Sequence, residues 1–152
     1  MISDEVKQYS KTLTEMGIDN LIVEHPNLKT PPEVQGYLGL TLADGLATML
    51  MKAGNKFVVV IRRCDCRLDS KKLKVLVGSK LRIASHEEFS ELTSLPLGTA
   101  RVLNPGLETY LDEKLFEKEY LTSGSGAFIC SIRVRSEDLK KLPNSKVASI
   151  SE

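Results

Sequence analysis

The chain holds little cysteine, little histidine and no long apolar run, and each shortage closes off a class of protein. Three cysteines, Cys64, Cys66 and Cys130, are an odd number, and no apolar leader opens the sequence. A reducing cytoplasm is therefore expected, without disulfides. Cys64-Asp65-Cys66 has only His25 and His86 to add, each alone in sequence. A closed zinc site needs four ligands, usually in paired spacing, so neither a metal nor another cofactor is expected. No run approaches the roughly 20 apolar residues of a membrane crossing. The net charge of +1 is neither histone-like nor acidic, so any contact with nucleic acid must come from a local patch.

The 152 residues suit one domain over 1–152 with a single core, ending in a polar tail from 143 to 152 that either frays or adds an edge strand. Its organising stretch is Leu46 to Ile61. Leu46 to Lys52 and the β-branched block Phe57 to Ile61 flank Ala53-Gly54-Asn55-Lys56, whose Gly and Asn permit a tight reversal. The spacing predicts an antiparallel hairpin, and the unbroken apolar second strand predicts a sheet buried on both faces. Residues 62 to 82 then carry eight cations, among them Arg62, Arg63, Arg67, Lys71 and Lys72, against two aspartates. From Glu87 to Glu119 acids predominate. Such polarity either steers a polyanion to one side or marks a solvated helix face.

Around the hairpin, capping residues set out the helices. Ser3 precedes a helix with Val6, Tyr9, Leu13 and Met16 on one stripe, and Ile18 to Val23 follows as a strand stopped by His25-Pro26. His25 reads as a loop residue rather than a general base. Thr30-Pro31-Pro32-Glu33 opens a short helix expected to turn Val34, Tyr37 and Leu38 inward. Asp69 caps Ser70 to Val77, with Leu73, Leu76 and Val77 inward. Ser85 and Glu88 form a capping box for a helix carrying Phe89 and Leu92. Ser94 to Gly106, with its lone Arg101, is too irregular for an element and too long for a plain turn, the usual place of a functional loop. Strands are expected at Leu107 to Leu111, Lys118 to Leu121 and Ala127 to Val134, and a last helix after Ser136. Ser123, Gly124 and Ser125 lie in a small-residue loop that either lets amides approach an anionic or carbonyl ligand or is a flexible hairpin end.

Four stretches, in this order, resemble the YbaK/ProX family, free-standing relatives of the editing domain inserted in bacterial prolyl-tRNA synthetases. They are Thr48-Met49-Leu50-Met51-Lys52, Arg67-Leu68-Asp69-Ser70-Lys71-Lys72-Leu73, Leu81 to Phe89, and Ser136-Glu137-Asp138-Leu139. The resemblance implies an α+β domain with a mixed, strongly curved, barrel-like sheet and surrounding helices. It also implies an aminoacyl-tRNA deacylase that hydrolyses the ester of mischarged tRNA in the cytoplasm, with tRNA and an aminoacyl-tRNA synthetase as partners. The alternative is a non-catalytic binding protein of the same fold.

Two departures fall where chemistry is expected. The family's functional lysine is here Ala47, and its Gly-x-x-x-Pro loop is Gly98-Thr99-Ala100-Arg101-Val102, with the glycine kept and the proline lost. Ala47 and Lys52 border the expected substrate pocket, Lys52 only if a bulge turns it from the opposite face. An aminoacyl ester is already activated, so backbone donors and a positioned water suffice for its hydrolysis. The Gly98 and Thr99 amides are the candidate oxyanion hole. Thr48 would orient water or the substrate amine, and Arg101 would neutralise the oxyanion or grip the terminal phosphate. Arg62, Arg63, Arg67, Lys71 and Lys72 would contact the tRNA.

Overall fold

The computed structural model describes residues 1–152 as a mixed α+β arrangement of four α-helices, three short 3-10 turns and two sheets. The helices are α1 (Asp4–Glu15), α2 (Pro31–Leu38), α3 (Ser70–Val77) and α4 (His86–Thr93). The strands are β1 (Asn20–Glu24), β2 (Leu46–Ala53), β3 (Lys56–Arg63), β4 (Leu81–Ile83), β5 (Glu108–Asp112), β6 (Tyr120–Gly124), β7 (Cys130–Arg135) and β8 (Ser145–Ala148). A five-stranded sheet runs β4-β2-β3-β5-β8, and a three-stranded antiparallel sheet runs β1-β7-β6. No helix is long and apolar enough to cross a membrane.

The hairpin forms as the turn chemistry requires. Full register from Leu46↔Arg63 to Ala53↔Lys56 leaves Gly54 and Asn55 as the two-residue loop, with Gly54 at φ +63°. Strand β3 then explains its own composition. Val59 and Ile61 face one layer, with Leu46, Leu50, Leu111, Leu121, Ile132 and the α1 stripe Val6, Tyr9, Leu13. Val58 and Val60 face the other, against Met51, Tyr110, Ile150 and Leu73 of α3. Both faces are buried, and each such Val or Ile contributes roughly 1.5–3 kcal/mol.

The barrel-like curvature is not found. The two sheets meet at one bridge, Gly45 with Thr122, and each keeps free edges, so neither is closed. Further corrections concern which side chains turn inward. In α2 it is Gln35, 3 % exposed, rather than Tyr37, 59 % exposed. The Gln35 amide donates to the Thr41 carbonyl at 2.9 Å and packs on Gly45, tying the helix to the start of β2. Leu76 and Leu92 also stand exposed, because α3 anchors through Leu73 with the part-buried Val77, and α4 through Phe89. Thr122 to Gly124 belong to β6 rather than a loop. The segments at 113–117 and 136–141 are 3-10 turns. The C-terminal residues add the edge strand β8, parallel to β5. Beyond it the buried Asp112 carboxylate accepts from the Ile150 amide at 3.1 Å and the Ser151 hydroxyl at 2.8 Å.

Candidate active site

A cavity of about 320 Å³ opens between the outer part of β2, the start of α2, the loop at 97–100 and the facing ends of β6 and β7. Strand β4 pairs only with Met51 to Ala53, so the first half of β2 is left without a neighbour there and forms the wall. Ala47 and Thr48 lie in that wall. The Thr48 hydroxyl is buried and has no hydrogen-bond partner in the protein. Leaving such a group unsatisfied costs about 1–3 kcal/mol, which a ligand able to pair with it would recover.

Opposite stands the loop at 97–100. The Thr99 amide and hydroxyl both donate to the Pro96 carbonyl, at 3.2 and 2.6 Å, closing a turn that holds Gly98 at φ +93°. The Thr99 amide is thereby engaged. The amides of Gly98 and Ala100 on either side have no acceptor in the protein. The loop is seated on the end of β6, where Gly124 packs against the Thr99–Ala100 peptide and, just beyond the strand, the Gly126 amide donates to the Thr99 carbonyl at 3.0 Å.

The expected site residues divide into two groups. Ala47, Thr48, Gly98, Thr99, Ser123 and Gly124 line this one cavity. The Ser123 hydroxyl donates to the Ile132 carbonyl at 2.8 Å, and the Ser125 hydroxyl, outside the lining, donates to the Cys130 carbonyl at 2.7 Å, so both stitch the β6–β7 connection. Lys52 lies elsewhere, beside a second concavity with Lys80 and Arg82, its ammonium 3.8 Å from Glu88. No bulge brings it round, since β2 and β3 pair without interruption. Arg101 is turned away as well: its guanidinium lies 4.4 Å from the centre of the Tyr9 ring and its Nε donates to the Ser125 carbonyl.

The basic stretch is partly consumed by the fold. Arg63 is clamped between Asp65 at 2.8 Å and Glu117 at 2.9 Å, and holds the Asp65 carboxyl below the usual carboxylate range. Arg62 donates to the Arg63 and Cys66 carbonyls, with its Nε buried and unpartnered. Lys72 donates to the Ser151 carbonyl. Arg67 and Lys71 remain exposed.

Cys64, His25 and Ser131 line the cavity and escaped the sequence reading as site residues. Cys64 lines the cavity with its thiol pushed up to about 11 by burial, so it stands there neutral. His25 is buried rather than a free loop residue. Its Nδ1 lies 2.8 Å from the Pro26 carbonyl and its Nε2 2.9 Å from the Ser131 hydroxyl, and both His25 and Ser131 line the cavity. No spacing signal could have joined positions 106 residues apart.

Comparison with known proteins places this arrangement. Proline–tRNA ligase of Caldicellulosiruptor bescii is 32 % identical over 91 residues, 59 % of this chain and 16 % of the ligase. That of Bacillus licheniformis is 38 % identical over 77 residues, 50 % of this chain and 14 % of the ligase. The match thus spans well under a third of those relatives. Among solved structures, a proposed trans-editing enzyme for prolyl-tRNA synthetase superposes with a TM-score of 0.88, covering 100 % of this chain and 99 % of that one at 24 % identity, a likeness of fold. The profile of the aminoacyl-tRNA editing domain matches residues 25–142, from the cavity histidine to the last residue of the main core, and the chain belongs to that family.

Proposed function

We propose that the chain is an aminoacyl-tRNA deacylase, hydrolysing in trans the ester of mischarged tRNA. The observation that carries this reading is the buried, unpartnered Thr48 hydroxyl facing a loop whose Gly98 and Ala100 amides also lack acceptors. One buried unsatisfied hydroxyl and two amides without a protein acceptor, in a cavity lined by both apolar and polar residues, suit a substrate that is polar at its reacting end. An ester carbonyl passing to a tetrahedral oxyanion needs such donors, fixed before the reaction starts. With the Thr99 amide engaged by the Pro96 carbonyl, this reading keeps Gly98 as one donor and takes the Ala100 amide in place of Thr99 as the other. Family membership supports aminoacyl-tRNA as the substrate class, and the ligase relatives make mischarged tRNA for proline the first substrate to try. Association with a synthetase and a cytoplasmic location belong to the same reading.

Ala47 favours a second reading, a protein that binds the aminoacyl end without cleaving it. Purified protein incubated with a panel of mischarged tRNAs decides between them. Accelerated release of one amino acid, lost by about 100-fold in Thr48→Val, is the result expected of a deacylase. Binding of aminoacyl-tRNA with no accelerated release from any member of the panel establishes the second reading instead.

A further inference from the structure

We infer that Ser131 and His25 form a nucleophile and base pair in this cavity, so that deacylation passes through an acyl-serine; the inference rests on the deacylase reading. The Pro26 carbonyl can only accept a hydrogen bond, so His25 Nδ1 carries the proton that reaches it over 2.8 Å. His25 Nε2 is then the basic nitrogen, and the contact at 2.9 Å is the Ser131 hydroxyl donating to it. A serine bonded to a histidine whose tautomer is held by a third group is the arrangement that activates a hydroxyl for attack. Both residues are only 7 % exposed, and both border the cavity.

Backbone pairing fixes the pair on two sides. The His25 amide donates to the Ile129 carbonyl at 2.9 Å, and Ser131 sits in register between Val23 of β1 and Gly124 of β6. Gly124 is the residue packed against the Thr99–Ala100 peptide, so the serine lies one strand away from the loop with the free amides.

In the first step Ser131 Oγ attacks the ester carbonyl carbon while its proton passes to His25 Nε2. The tetrahedral oxyanion is met by the Gly98 and Ala100 amides. Its collapse breaks the bond to the ribose oxygen, which leaves with the proton from Nε2. Water then attacks the acyl-serine, giving a proton to Nε2, and Ser131 leaves and regains it. The products are the free amino acid and uncharged tRNA.

A fluorophosphonate probe and a mischarged tRNA test this together. Mass spectrometry of probe-treated wild-type protein is expected to place the adduct on Ser131, and His25→Gln to abolish it. Ser131→Ala is expected to lower the single-turnover deacylation rate by about 100-fold or more, with Tm close to wild type. An unlabelled Ser131, or Ser131→Ala within about threefold of the wild-type rate, overturns the inference and leaves the pair as a bolt between β1 and β7. If the wild-type protein cleaves no mischarged tRNA but Ser131 is labelled in a His25-dependent manner, the pair stands and the deacylase reading falls.

Discussion

Gly124 and Ala100 lie so close that no β-carbon fits between them: one built on Gly124 would stand 2.3 Å from the Ala100 carbonyl oxygen and 3.0 Å from the Thr99 carbonyl. The obstacle is backbone, which cannot swing aside as a side chain can. Gly124→Ala must therefore displace the loop that carries the Gly98 and Ala100 amides. Overpacking of this kind costs about 1–3 kcal/mol. A donor misplaced by about 1 Å costs roughly 100-fold in rate, so deacylation should fall much further than Tm. Kinetics on one mischarged tRNA, paired with thermal melts, check this, and an unchanged rate refutes the placement of the donors.

The same loop is pinned from its other end. The Tyr9 hydroxyl accepts from the buried Val102 amide at 3.2 Å, beneath the Arg101 guanidinium. Tyr9→Phe leaves that amide unsatisfied and should lower stability by about 1–3 kcal/mol in urea unfolding. Burial pushes the Tyr9 phenol up to about 12 from 10.0. A raised folded pKa means a contribution fully present below pH 10 and lost as pH rises through about 12. Wild type should therefore lose more stability across that interval than Tyr9→Phe does, and equal losses would remove Tyr9 as the cause.

At the start of α4 the sign reverses. The Arg82 guanidinium, at 2.8 and 3.0 Å, and then the Ser85 amide pull the Glu88 carboxyl down to about 2 from 4.5. A depressed carboxyl contributes stability that is present above pH 4.5 and lost as pH falls towards about 2. Carboxyl chemical shifts in an NMR titration should place Glu88 below the other glutamates. Arg82→Gln should move it back towards 4.5; a titration point unmoved by the substitution would assign the effect to the Ser85 amide instead.

Exposure divides the basic residues into two kinds. Arg67 is paired only with Glu152 across open solvent, an arrangement worth little, and Lys71 is exposed. If tRNA phosphates meet this surface, Arg67→Ala with Lys71→Ala should flatten the dependence of log K on log salt by about 0.7–0.9 for each phosphate no longer neutralised. Arg63→Ala should instead lower stability, because it leaves Asp65 and Glu117 without their shared partner. A salt slope unchanged in the double variant takes this surface out of tRNA binding.

What the sequence alone determined was local. The two-residue turn at Gly54-Asn55, the caps at Ser3, Thr30, Asp69 and Ser85, and the doubly buried strand β3 all follow from turn chemistry, capping and periodicity within a few residues. Ala47 and the Gly98 loop could be marked as positions of interest only through the family resemblance, as the places where this sequence departs from its pattern. The tertiary structure decided which of the marked residues meet. Arg101, conspicuous as the lone cation of its loop, went to Tyr9, while His25, inconspicuous beside a proline, met Ser131. Sheet curvature was likewise beyond reach of the sequence, because closure depends on whether distant edges pair, and here one bridge alone joins Gly45 to Thr122. The cavity is made where β2, the loop at 97–100 and the ends of β6 and β7 converge, segments brought together by chain topology and core packing. Neighbours in sequence constrain dihedral angles and caps, whereas neighbours in space are chosen by the burial of the whole core, which no short stretch encodes.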